Sequence, residues 1–120
     1  FIILKFRKPK IKLTENSTKK DYIFVRSNRS DVKLFFNNVI ALEAVKDYTK
    51  LITKENNYVV HGNISNFIKK FPKTKFIRIH RSTIINIDFI SSFQGDTVNL
   101  GKKHYTIGGK YISDIKNYIN

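Results

Sequence analysis

Apolar and polar residues alternate in short runs along most of this chain. Tyr22-Ile23-Phe24-Val25, residues 32–36, Tyr48–Thr53 and Tyr58-Val59-Val60 each read as a strand. Val39–Val45 is nearly all apolar, as a central strand would be. Between these runs stand residues 27–31, Asn37-Asn38, Lys46-Asp47 and Glu55-Asn56-Asn57. Their short polar side chains bond to nearby backbone and turn the chain. One run breaks the rhythm. Ile64, Phe67, Ile68 and Phe71 fall at helical spacing, behind Asn63 as a cap and before Pro72 as a stop, with Lys69 and Lys70 in the last turn. That stripe is expected to face a core. Strands are then expected over 87–93, Thr97–Leu100 and 104–107, and Tyr111, Ile112, Ile115, Tyr118 and Ile119 return to helical spacing after Gly108-Gly109. Short strands at this regular spacing predict a mainly β domain: an elongated antiparallel sheet arrangement with one short internal helix and a short C-terminal helix.

The stretch Phe76-Ile77-Arg78-Ile79-His80-Arg81-Ser82-Thr83-Ile84-Ile85-Asn86 stands apart. It starts as an alternating strand, and between two β-branched runs it carries three hydrogen-bond donors, His80, Arg81 and Ser82. A strand ending in such a cluster can hold an anion. An ordinary amphipathic strand with a solvated basic edge has the same pattern.

Charge favours the first reading. The 120 residues include 23 Lys and Arg against 9 Asp and Glu, for a net charge of +14. That excess points to a phosphate polymer or an anionic lipid surface as partner. Residues 1–20 hold seven basic residues (Lys5, Arg7, Lys8, Lys10, Lys12, Lys19 and Lys20) against Glu15 alone, and read as a basic arm or linker, with a short edge strand as the alternative. Residues 21–120 form the expected domain. Phe1-Ile2-Ile3-Leu4 is too short for a membrane span and lacks the parts of a signal peptide. Because the chain starts at Phe1, a fragment of a longer protein or a processed product is expected, the missing part being a regulatory domain or a membrane anchor.

Catalytic patterns are weak. There is no Cys, so thiol nucleophiles, disulfides and thiolate metal sites are excluded. His61, His80 and His104 are widely separated, and none has a second ligand at helical spacing. His80 and Ser82, two apart in a strand, would share a face, but no third partner is visible for nucleophilic chemistry. Gly108-Gly109 lacks a phosphate-loop pattern. Neither an enzyme nor a metal or cofactor is expected. A helix-turn-helix and an RNA-recognition strand are also missing.

The order of the motifs resembles the LytTR family of bacterial DNA-binding domains. The resemblance rests on Asp21-Tyr22-Ile23-Phe24-Val25, Leu42-Glu43-Ala44 with Asp47-Tyr48, the stretch Phe76 to Asn86, and Ile107-Gly108-Gly109-Lys110-Tyr111. It implies a β-rich domain that reads duplex DNA with loops at strand ends, entering successive major grooves and usually bending the duplex. It also implies paired direct-repeat sites, a dimer on DNA and an upstream receiver or sensor domain. A cytoplasmic location follows from it, membrane-tethered where the parent protein carries an anchor.

Transferred by position, the resemblance assigns DNA contacts to Tyr48, Thr49 and Lys50, to His80, Arg81 and Ser82, and to Gly109 and Lys110. Thr49 falls at a base-reading position and Arg81 at the main one. The third segment departs from the family: many members have Ser-Arg-Arg or Gly-Arg-Ser where this chain has Gly108-Gly109-Lys110. Asn86 falls at a structural position. Lys46, Lys102 and Lys103 are expected phosphate contacts. The alternative function is a basic module that docks on anionic lipid beside an upstream anchor.

Overall fold

The computed structural model describes residues 21–119, so the basic arm, its edge strand and Asn120 lie outside the described residues. Ten strands and two short helices follow in order: β1 (Tyr22–Ser27), β2 (Ser30–Phe35), β3 (Val39–Val45), β4 (Tyr48–Thr53), β5 (Asn57–His61), α1 (Ile64–Ile68), β6 (Phe76–His80), β7 (Thr83–Asn86), β8 (Ser92–Gln94), β9 (Thr97–Leu100), β10 (Lys103–Thr106) and α2 (Ile112–Ile119). All pairings are antiparallel. A five-stranded sheet ordered β5-β4-β3-β7-β6 lies at the centre, with the β1–β2 hairpin and the three-stranded sheet β10-β9-β8 beside it. The β-dominated architecture expected from the alternation is the one present.

Both faces of the central sheet are covered, which explains why β3 is apolar almost throughout. One face packs Leu42, Leu51, Phe76 and Ile84 with Val25 and Leu34 of the hairpin and Ile64 and Phe67 of α1. The other packs Ala41, Ile52, Ile79 and Ile85 with Val98, Leu100, Ile107 and Ile115. Phe36, Phe71 and Phe76 meet edge to face, with centroids 4.9–6.2 Å apart, the arrangement that aromatic quadrupoles favour. Asn63 caps α1 as expected, accepting from the Asn66 amide.

Two elements differ from expectation. The helix ends at Ile68, before Lys69 and Lys70, where the chain tightens into three-residue turns: the Lys70 amide donates to the Phe67 carbonyl and the Phe71 amide to that of Ile68. Residues 87–93 are not one strand. The Asn86 carboxamide accepts from the Asp88 amide at 2.9 Å and starts a 3-10 turn over Ile87–Phe89, so only Ser92–Gln94 pairs. The same side chain donates to the carbonyls of Val39 (2.8 Å) and Phe36 (3.3 Å). Asn86 is fully buried, and it satisfies three backbone groups where the central sheet meets the hairpin. That is the structural role expected of it.

Candidate nucleic-acid interface

The register of the central sheet brings five strand ends together. His61 pairs with Tyr48, Tyr48 with Val45, Glu43 with Thr83, and Thr83 with His80. The turns Lys46-Asp47 and Arg81-Ser82 therefore lie on one edge. Two backbone bonds tie them in: the Ala44 amide donates to the Ser82 carbonyl (2.9 Å), and the Gly62 amide to the Asp47 carbonyl (2.9 Å). The third segment arrives from β10. The Gly108 amide donates to the Ile79 carbonyl at 2.7 Å. A Cβ on Gly108 would make an ordinary contact with the His80 ring at 3.6 Å but would crowd the Tyr111 ring at 3.1 Å, so the glycine makes room for Tyr111. The loops expected to act together are neighbours in space.

At the tip of the β6–β7 hairpin, Arg81 is exposed, and its guanidinium makes no hydrogen bond or ion pair with a described residue. His80 and Ser82 are half-buried and bonded to each other: the Ser82 amide donates to His80 Nδ1 (3.2 Å), and Ser82 Oγ lies 2.9 Å from that nitrogen. An amide can only donate, so Nδ1 accepts and Nε2 carries the proton, ready to donate outward. The pair meets across a turn rather than along one strand, which corrects the expected shared strand face. Among the described residues none of the three histidines hydrogen-bonds a carboxylate; His104 bonds Asn99, and the His61 ring stands edge-on to Tyr48 at 5.3 Å. No cluster of three or more His, Cys, Asp or Glu among the described residues is arranged to hold a metal.

The other assigned residues divide. Tyr48, Lys46, Gly109 and Lys110 are exposed at this edge, and Lys110 Nζ sits 5.2 Å from the Tyr111 ring centre. Lys50 is half-buried one step inside it. Thr49 is corrected: it is fully buried, and its hydroxyl donates to the Gly62 carbonyl at 2.9 Å. It braces the β4–β5 end and offers nothing to a base. Lys102 is also displaced. The turn that holds Lys102 and Lys103 lines a cavity of about 550 Å³ with Thr53 and Asn57, toward the opposite end of the central sheet, whereas the Lys103 ammonium reaches back along β3. Lys103 pairs with Glu43 at 3.7 Å, and Tyr105 donates to the same carboxylate. Burial first, then the Glu43 carboxylate, pushes the Tyr105 phenol pKa up, which keeps it a donor.

Three residues escaped the sequence reading. Val45 is 47% exposed beside Tyr48, an apolar strand terminus that alternation files as core. His61 adds its ring to the same corner. Arg78 read as part of a solvated basic edge, yet its guanidinium bonds two successive carbonyls of the tip, those of His80 and Arg81. No sequence signal separates such an arginine from a solvated one.

The family model "LytTr DNA-binding domain" matches residues 29–120. The sensory transduction protein LytR of Staphylococcus epidermidis is 33% identical over 61 residues, covering 51% of this chain and 24% of that protein. The transcriptional regulatory protein YpdB of Escherichia coli K12 is 33% identical over 58 residues, covering 48% and 24%. The chain thus spans about a quarter of the length of these relatives. A LytTr DNA-binding domain from Bacillus cereus superposes with a TM-score of 0.73 at 21% identity, over 85% of this chain and 99% of that one, and supports the fold. With the family model covering the whole of the loop-bearing edge, this chain belongs to the LytTr DNA-binding domain family.

Proposed function

We propose that the chain binds duplex DNA sequence-specifically through the turn-bearing edge of its central sheet, as the output part of a longer transcription regulator. The observation that carries this is the convergence of Lys46-Asp47, His80-Arg81-Ser82 and Gly109-Lys110 on one edge, with an unengaged arginine at its tip. Arg81 has the fork that matches guanine O6 and N7, a pairing worth about 1–3 kcal/mol of discrimination. His80 Nε2–H, Ser82 and Lys110 donate to phosphate or base edges around it, and Lys46 and Lys50 set register on the backbone. Tyr48 and Val45 supply an apolar surface for a thymine methyl or sugar. Thr49 holds the strand end in place. Loops on one edge suit successive major grooves, with paired direct repeats bound by a dimer and an upstream receiver or sensor domain controlling occupancy. That the relatives are a sensory transduction protein and a transcriptional regulatory protein favours that setting.

Selection of bound duplexes from a random pool tests the reading. A recurrent motif should emerge, with affinity for it falling steeply as salt rises. A pool that stays random after repeated rounds would overturn sequence-specific binding.

A further inference from the structure

Arg78 is the unusual residue behind the tip. It lies on β6 two positions before His80 and turns toward α1, away from the face where His80 meets Gly108. Its Nε donates to the His80 carbonyl at 3.3 Å, Nη2 to the Arg81 carbonyl, and Nη1 to Ser65 Oγ of α1 at 3.0 Å. A single guanidinium thus holds two successive carbonyls of the tip and ties them to a helix in the core layer.

The tip needs such a clamp. Two-residue hairpin turns match the twist of their strands when the central residues take positive φ, as in type I′. Arg81 and Ser82 do not: among non-glycine described residues only Asn28, Arg29 and Lys46 have positive φ. The register also slips here. Arg78 faces Ile84 and His80 faces Thr83, so Ile79 is an extra residue on β6. Bulges of this kind re-aim a neighbouring side chain. With a mismatched turn after a bulge, the backbone alone does not settle where Arg81 points.

We propose that Arg78 is a positioning residue for DNA recognition: it fixes the Arg81-Ser82 turn so that Arg81 enters the groove aligned for bidentate contact. This rests on the reading of Arg81 given above. Arg78 itself touches no base and contributes no essential charge. What matters is the planar fork, which lysine cannot reproduce.

The test is a double-mutant cycle with the whole chain. Its probes are the duplex recovered by selection with the unaltered protein and a random-sequence duplex of equal length. Arg78→Lys keeps the charge and loses the fork. It should reduce binding to the selected duplex by roughly 5- to 150-fold, the value of one bidentate contact, while changing binding to the random duplex by much less. In an Arg81→Ala background, Arg78→Lys should have little further effect on the selected duplex. Ser65→Ala, on the exposed side of a helix, removes one anchor without threatening the fold and should shift the ratio the same way by less. Arg78→Lys binding the selected duplex like the unaltered protein would overturn the proposal, as would losses additive with those of Arg81→Ala. If Arg81→Ala alone leaves the ratio unchanged, the reading of Arg81 fails, a result distinct from a failure of Arg78. Far-UV circular dichroism and melting of each variant confirm that the comparison is between folded chains.

Discussion

The β1–β2 and β6–β7 hairpins both close with two-residue turns, and they do it in opposite ways. In β1–β2 the pairing runs unbroken from Tyr22↔Phe35 to Ser27↔Ser30. The turn residues Asn28 and Arg29 take φ of 55° and 69°, the combination a type I′ turn requires. That turn is made by its own backbone. In β6–β7 the register slips, the turn residues avoid positive φ, and two of the hairpin's own side chains tie its ends to the rest of the fold. Asn86 fastens the foot to Phe36 and Val39; Arg78 fastens the tip to α1. Each hairpin carries an arginine at its turn. The self-made turn takes its shape from its own backbone, with Ser27 Oγ donating to the Val59 carbonyl of β5 beside it at 3.1 Å. The borrowed turn places its arginine relative to the whole sheet, which recognition of a rigid duplex demands.

The strongest way to break the comparison is to release the foot. Asn86→Ala strands two buried carbonyls and one amide, and should cost about 3 kcal/mol in denaturant unfolding. A loss near zero would mean that the β6–β7 hairpin stands alone after all. The self-made turn offers the converse. Asn28→Val puts a β-branched residue at positive φ and should cost about 1–2 kcal/mol of stability, leaving the ratio of selected to random duplex binding unchanged. A changed ratio would bring the first hairpin into recognition. The turn at Lys46, also at positive φ, lies between the two cases. Lys46→Gly should gain roughly 0.5–1 kcal/mol of stability. It should also weaken all duplexes alike and lower the salt slope by about 1, as measured by melting and by binding across a salt series. A sequence-dependent loss would make Lys46 a reader of bases.

These turns also mark what was legible in the chain. Val39–Val45 and Tyr48–Thr53 match their expected bounds, because alternation ends at residues whose side chains favour turns. Asn63 and Asn86 could be read as backbone partners, since short amides next to regular elements usually are. The phase of Thr49 could not be read. Both faces of β4 are covered, so burial on either side leaves the same sequence pattern. Lys102 and Lys103 looked like phosphate contacts by charge alone. That Lys102 sits toward the far end and that Lys103 pairs with Glu43 depends on how the β8–β10 sheet packs, a long-range matter. The strand expected over 87–93 failed because Asn86 caps a 3-10 turn there, and one side-chain bond outweighs the weak preference of four apolar residues for a strand. The loop edge was legible as three separate motifs. Arg78 was not, because an arginine in a strand that turns back onto its own hairpin has the same letter as one in solvent.

The central claim is that Arg81, held at the tip of the borrowed turn, reads bases, whereas Arg29 at the self-made turn does not. Equilibrium binding of Arg81→Ala and Arg29→Ala to the selected and random duplexes tests it most directly. Arg81→Ala should lower affinity for the selected duplex by roughly 5- to 150-fold and for the random duplex far less, while Arg29→Ala leaves their ratio where it was. Equal losses on both duplexes for Arg81→Ala would make it a phosphate contact and contradict the account.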